Sequence, residues 1–199
     1  MSDDARRRRM PRHERRTQLL DAARGLIREA GTDGFTLGRL AERAGVTKPV
    51  VYDHFGDRAG ALAELYRAFE EEQRATLAVA LADAEPSLDP VCGAVAGAYV
   101  DCSLAEGREL ADVVSALDGS PMLAEVRREA EKAYLAQCDE ALASCGARLD
   151  DVAAPALIGA GDALSRAALE RRVSPHDARA ALTRVLRCLV DPSIRPEES

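Results

Sequence analysis

A single residue, Val46, separates the glycine that ends one short helical segment from the threonine that opens the next. From Thr36, a side chain suited to capping a helix N-terminus, the apolar positions Leu37, Leu40, Ala41 and Ala44 recur at helical spacing and stop at Gly45. Thr47 offers a second cap. Pro49 then falls in a first turn, where its missing N–H has no intrahelical acceptor to lose. The second segment ends near Phe55, before Gly56. Two helices this short, joined at so tight a corner, need a residue with positive φ at the corner, and glycine adopts it without a Cβ clash. The lengths, the corner and the caps are those of a helix-turn-helix. Val46 is expected to plug the angle between the helices, with Leu40, Ala44, Val50 and Val51 packing the pair against a preceding helix.

That preceding helix is predicted from Leu19, Ala23, Leu26, Ile27 and Ala30, one face at 3, 4, 7 spacing, closed by Gly31. After Gly56, Asp57 caps a long helix whose stripe is Leu62, Leu65, Tyr66, Phe69, Leu77 and Leu81. Its Glu70, Glu71 and Glu72 read as a solvated face. Asp89-Pro90, Ser120-Pro121 and Ser174-Pro175 each set a capping side chain before a proline and predict three further helix starts. Asp150 or Asp151 caps an alanine-rich segment over 152–171, and Gly107 and Gly146 mark ends. No segment shows strand alternation. The reading is an all-α chain of about nine helices. Its expected organisation is a flexible basic arm over 1–12, a three-helix domain with the helix-turn-helix over 13–58, a larger helical domain over 59–191 and a tail over 192–199.

With 199 residues, the chain can bury a core without disulfides or metal. No apolar run approaches the roughly 18 to 20 residues of a membrane span, and Arg6 to Arg9 precede no signal-like apolar region. A cytoplasmic protein without a membrane partner is expected. Cys92, Cys102, Cys138, Cys145 and Cys188 form an odd set with no C-x-x-C pair, as reduced thiols used as small core hydrophobes would. Net charge is -7, but its distribution is uneven. Residues 1–60 hold 13 basic and 9 acidic side chains, leaving +4, and the remainder holds 14 and 25, leaving -11. A basic head on an acidic body suits a chain that meets a polyanion at one end. Enzyme signatures are missing: there is no G-x-S-x-G and no glycine-rich phosphate loop, and His13, His54 and His176 are dispersed. No catalytic residue, metal site or cofactor is expected. Oxidative pairing of Cys92 with Cys102, or of Cys138 with Cys145, is a second reading, that of a thiol redox sensor.

The stretch TLGRLAERAGVTKPVVYDHFGDRAGAL, residues 36 to 62, resembles the DNA-binding signature of the TetR family: a capped helix, an A-G-V turn, a short recognition helix ending in Tyr-x-His-Phe, and a basic residue opening the next helix. The resemblance implies a transcriptional repressor that binds a palindromic operator in double-stranded DNA as a homodimer and leaves it when a small-molecule effector fills the C-terminal domain. By the same resemblance, Thr36 caps a helix and touches a phosphate, Thr47 and Lys48 reach base edges or flanking phosphates, and Tyr52, His54 and Arg58 contact phosphates. Pro49 departs from the family pattern, offering an apolar contact to a thymine methyl. Arg39, exposed by its spacing from Leu37 and Leu40, is a further candidate DNA contact, and the arginine arm is expected to strengthen nonspecific binding.

Family resemblance places a ligand cavity beyond residue 88. Polar or polarizable side chains on its apolar helices are the candidate contacts: Tyr99, Cys102, Met122, Tyr134, Cys138 and Asp162. The acidic domain favours neutral or cationic effectors. For the dimer interface, the last two helices offer small or apolar residues that permit close approach: Ala156, Gly159, Ala160, Ala163 and Ala167 on one, and Ala178, Leu182, Val185, Leu186 and Leu189 on the other.

Overall fold

The computed structural model describes residues 10–107, 112–114, 116 and 121–190. The arginine run of the arm, Ser120 and the tail over 192–199 lie outside the described residues. Eight helices are described: α1 (Arg12–Ala30), α2 (Leu37–Ala44), α3 (Lys48–Phe55), α4 (Arg58–Asp83), α5 (Leu88–Glu106), α6 (Pro121–Ala143), α7 (Ala153–Leu169) and α8 (Pro175–Val190). Residues 112–114 are also helical, and no described residue lies in a strand. The all-α expectation holds. The chain divides into two compact units, Met1–Leu65 and Tyr66–Ser199, with the division falling inside α4. Arg12, expected in the arm, opens α1 behind Pro11.

The core of the first unit follows from the stripes. Leu19, Leu20, Ala23, Leu26 and Ile27 of α1 are buried with Phe35, with Leu37, Leu40 and Ala41 of α2, and with Val51 and Phe55 of α3. Ala44, Val46 and Val50 are half-buried at its edge. Thr36 caps α2 as expected, its Oγ1 accepting the Arg39 N–H at 3.2 Å. Gly45 takes φ 65° and ψ 34°, the left-handed turn the corner demands. Gln18 of α1 donates to the Ala44 carbonyl at 3.3 Å, satisfying an orphan acceptor at the end of α2. Thr47 stands at the N-cap of α3, yet its hydroxyl makes no capping bond. The reason is local. A capping side chain accepts from the second or third amide of a helix; the second belongs to Pro49, and the third, Val50, already bonds the Thr47 carbonyl at 3.0 Å.

Asp57 caps α4, its Oδ1 accepting the Gly60 N–H at 2.7 Å. The chain folds back so tightly here that a β-carbon on Gly60 would lie 2.1 Å from the Phe55 carbonyl oxygen. In the second unit, α5 is buried nearly all round, through Val91, Cys92, Val95, Ala96, Tyr99 and Val100, and packs against α6, α7 and α8. It starts earlier than predicted. Ser87, not Asp89, stands at its N-cap, and Asp89 sits in the first turn, 2.9 Å from Arg187 of α8. Asp150 accepts the amides of Val152 and Ala153 at 3.0 and 2.7 Å ahead of α7, and Ser174 accepts that of Asp177 at 3.0 Å ahead of α8.

Burial divides the residues expected at the dimer interface. Ala167, Ala178, Leu182 and Leu186 are buried in the unit's own core. Ala156, Gly159 and Ala163 are exposed, and Ala160, Val185 and Leu189 are half-buried. The residues expected on the interface therefore divide between an inward and an outward face, because α7 and α8 are each apolar on more than one side. Of the five free thiols, Cys92, Cys102 and Cys138 are buried as expected, whereas Cys145 is half-buried and Cys188 is exposed.

The Gly60 contact is testable. A methyl group there meets a backbone carbonyl, which cannot rotate aside, so Gly60→Ala is expected to lower the unfolding free energy by roughly 1–3 kcal/mol, outweighing a helix-propensity gain of about 1 kcal/mol. Urea unfolding followed by circular dichroism measures this; a variant as stable as the parent would contradict the packing.

Candidate functional site

The outward side of the helix-turn-helix carries most of the polar residues singled out in the sequence. Thr36, Arg39, Thr47, Lys48, Pro49 and Arg58 are exposed, and Tyr52 keeps 52% of its surface free despite its aromatic ring. Lys48 leans back across α2 over Gly38, where a β-carbon would meet its Cε at 3.5 Å, its Nζ at 3.8 Å and Thr36 Oγ1 at 3.9 Å. The ammonium and the hydroxyl thus converge at the N-terminal turn of α2, where unpaired amides and the helix dipole favour an anion. Arg39 and Arg58 are used differently. Arg39 donates to the Gly34 carbonyl at 2.6 Å, and Arg58 donates to Phe35 and Thr32 carbonyls at 3.1 and 2.6 Å, so both guanidinium groups fasten the loop between α1 and α2.

His54 is half-buried, its ring tilted against Phe55 at 6.2 Å. Burial and the positive charge of Arg12, Arg15 and Arg16 hold its pKa below the ordinary histidine value, against the opposing pull of Asp53. Arg12 reaches from α1 to the Asp53 carbonyl at 3.3 Å, tying the start of α1 to α3.

The second unit contains a cavity of about 60 Å³ among α4, α5, α6 and α7. Tyr99, Tyr134 and Asp162, three of the six residues expected to meet a ligand, line it. Cys102 and Cys138 are buried but do not line it, and the Met122 side chain lies outside the described ones. One charged chain organises the wall. Arg127 donates to Glu131 at 2.6 Å and to Asp162 at 3.1 Å, and Asp162 accepts the Tyr99 hydroxyl at 2.7 Å. Tyr99 lies flat on α7, where a β-carbon at Gly161 would come within 2.5 Å of its ring. Glu70 and Gln73 of α4 complete the polar wall beside Tyr66. Tyr134 and Ser165 also line the cavity; Ser165 Oγ has no hydrogen-bond partner among the described residues, and the buried Tyr134 hydroxyl has none but a thiol. The Cys138 thiol beside Tyr134 is only a weak partner.

Comparison with known proteins bears on the first unit most directly. Residues 19–65 match the family described as bacterial regulatory proteins, tetR family. Over these residues the chain carries the DNA-binding domain of that family. Over 60 residues it is 45% identical to the HTH-type transcriptional activator FasR of Mycolicibacterium smegmatis, and over 51 residues 45% identical to the HTH-type transcriptional regulator BetI of Burkholderia thailandensis. These matches cover 30% and 26% of this chain, and the chain spans only 26% of the length of either relative. Solved structures resemble it over a far greater extent. A transcriptional regulator from Pseudomonas aeruginosa superposes with a TM-score of 0.73 at 20% identity, covering 94% of this chain and 96% of the other. FadR from Bacillus subtilis, solved with stearoyl-CoA, gives 0.70 at 21% identity, covering 88% and 97%. At such identities the likeness speaks for the fold alone, an all-helical fold shared over most of the chain.

The cavity corrects one sequence expectation. Glu70, read as part of a solvated run, faces the cavity, while Glu71 and Glu72 are exposed. The signal was present in the spacing: Tyr66, Glu70, Gln73 and Leu77 follow one helix face, as do Arg127, Glu131, Tyr134 and Cys138 on α6. Among the described residues no cluster of His, Cys, Asp or Glu is arranged to hold a metal, and no helix is long and apolar enough to cross a membrane. Burial pushes the Cys92 thiol up to about 11 and the Cys138 thiol up to about 12, which keeps both protonated and poorly nucleophilic.

Burial, reinforced by Glu131 and Asp162, lifts the Glu70 carboxyl to about 6, although a hydrogen bond from Tyr66 and the charge of Arg127 oppose the rise. The folded chain therefore holds this proton more tightly than the unfolded one. The associated stability is complete below about 4.5 and is lost as pH rises through about 6. Glu70→Gln is expected to raise the unfolding free energy at pH 8 by on the order of 2 kcal/mol and to leave it unchanged near pH 4, as measured by denaturant titration. Equal effects at the two pH values would show that the carboxylate is not strained by its surroundings.

Proposed function

We propose that this chain is a transcriptional repressor that grips a palindromic operator as a homodimer and is released by a small-molecule effector. The observation that carries the reading is the outward face of α3, where Thr47, Lys48, Pro49 and Tyr52 stand exposed on a helix short enough to enter a major groove. Residues 13–58 would bind DNA and residues 59–191 would hold the effector and the dimer contact. Lys48 and Thr36 together suit one phosphate, and Tyr52 and His54 suit others. Arg39 and Arg58 would contribute chiefly by holding the α1–α2 loop, with their remaining N–H groups free to reach the backbone of DNA. The exposed small residues Ala156, Gly159 and Ala163, with Ala160, Val185 and Leu189 beside them, support a helix-on-helix contact between protomers.

Release follows from the size of the cavity. A volume of about 60 Å³ holds a few waters, whereas ligand sites run to roughly 300–1,000 Å³, so an effector must select a form in which α4 to α7 stand further apart. Helix α4 contributes Leu62 and Leu65 to the core of the first unit and Glu70 to the cavity wall, so its displacement is a direct route from ligand to DNA. In the released form, the two recognition helices of the dimer would no longer match major grooves about 34–36 Å apart.

Selection of bound duplexes from a random pool by the purified protein tests the reading: a palindrome is the expected product, and sequence-independent capture would remove it. With that operator in hand, Lys48→Ala is expected to weaken binding and to lower the slope of log affinity against log salt by about one unit, as loss of a phosphate contact does. Tyr52→Phe should weaken binding without altering thermal stability, and unchanged affinity in both variants would take α3 out of the interface. A phosphate beside His54 would favour its imidazolium, so operator binding takes up a proton and weakens as pH rises through the histidine range. His54→Asn is expected to flatten that pH profile; a profile as steep as the parent's would assign the dependence to another group.

A further inference from the structure

We propose that the cavity of the second unit takes an organic cation, a primary or secondary ammonium carried on an apolar, preferably aromatic, body. The inference rests on reading this cavity as the effector site and names the effector's chemistry.

Charge is the first argument. Three carboxylates line the cavity, Glu70 from α4, Glu131 from α6 and Asp162 from α7, and Arg127 is shared between the last two. Arg166, the other described cation on the wall, is exposed on α7. Glu70 is left with the Tyr66 hydroxyl as its hydrogen-bond donor. A ligand ammonium placed beside Glu70 supplies a counter-charge beyond that of Arg127, whereas a ligand carboxylate adds a fourth negative charge to the same enclosure.

The second argument is independent of charge. Tyr134 and Ser165, each more than nine-tenths buried, are among the residues that line the cavity; the Ser165 hydroxyl has no hydrogen-bond partner among the described residues, and that of Tyr134 has only the weak Cys138 thiol. Buried hydroxyls are rarely left so, and each carries lone pairs that can accept an ammonium N–H. The rings of Tyr66, Tyr99 and Tyr134 stand on the wall with the aliphatic Val114, Ile158 and Leu169, Tyr99 and Tyr134 being edge to face at 5.7 Å. Such rings attract a cation and pack an aromatic body.

The titratable and charged residues that line the cavity with Glu70 are Tyr66, Tyr99, Arg127, Glu131, Tyr134, Asp162 and Arg166; burial keeps all three tyrosines protonated, so the proton displaced by a cation comes from Glu70. Binding of an amine should then release about half a proton at pH 6 and almost none at pH 8.

Isothermal titration of the full chain with 2-phenylethylammonium, 2-phenylethanol and 3-phenylpropionate, in buffers of different ionisation enthalpy, reads both affinity and proton release. The amine is expected to bind at least tenfold more tightly than the alcohol or the acid. Glu70→Gln should weaken the amine at least tenfold, and Tyr134→Phe, which removes only a buried hydroxyl weakly partnered by a thiol, several-fold. Equal or tighter binding of the acid or the alcohol, full amine affinity in Glu70→Gln, or no heat from the amine with the parent chain would each overturn the proposal. A parallel operator-release assay separates the two readings. Release by the acid in place of the amine removes the cation and keeps an effector site; amine binding without release keeps the cation and removes the effector role.

Discussion

Eight residues do not make a stable helix in water, and α2 and α3 have eight each. Their existence depends on burial against α1 and the start of α4, through Phe35, Leu40, Val51 and Phe55. Full burial of such a side chain contributes about 1.5–3 kcal/mol, far more than any propensity term on offer. The same packing decides what remains outside. With Val51 and Phe55 turned inward, Tyr52 has no place in the core, and Lys48 has only the glycine surface of α2 to lie on. The recognition face is the complement of the core, and the loop fastened by Arg39 and Arg58 holds the two in register.

A different constraint governs the second unit. Its helices are apolar on several sides, so hydrophobic patterning alone allows many packings. Arg127 narrows them. By bonding Glu131 on its own helix and Asp162 on α7, while Asp162 receives Tyr99 from α5, it sets three helices at one distance from one another. Gly161 permits that distance by leaving the Tyr99 ring room to lie on the α7 backbone. A half-buried ion pair of this kind adds little net stability, but it is sensitive to anything that alters the charge around it. A ligand entering beside Glu70 acts on that balance.

The first unit was legible in the sequence because its signals are local. Thr36, Gly45 and Asp57 announce their roles through spacing within a few residues, and all three perform them. Thr47 shows where local reasoning ends: its cap failed because Pro49 removed one amide and backbone geometry took the other. In the second unit the informative relations are between helices. Glu70 looks solvated in its acidic run and becomes a wall residue only when α5, α6 and α7 close around Tyr66 and Gln73. Ala178, Leu182 and Leu186 are equally suited by pattern to a core or an interface, and which one they serve depends on whether α5 covers them.

The uneven charge read from the sequence has a consequence at both ends of the chain. Beyond residue 60 the excess is -11, which repels the DNA that the first unit would meet and so favours approach through the basic helices. The cavity carries that bias inward, with three carboxylates against a half-buried arginine that two of them already occupy and the exposed Arg166. An anionic effector would work against the field of the whole unit and against Glu70 itself, and it would have to bring in compensating groups. A cation works with both. On the proposed reading, the acidity that would keep the body of the protein off DNA is the same property that would select what enters its core.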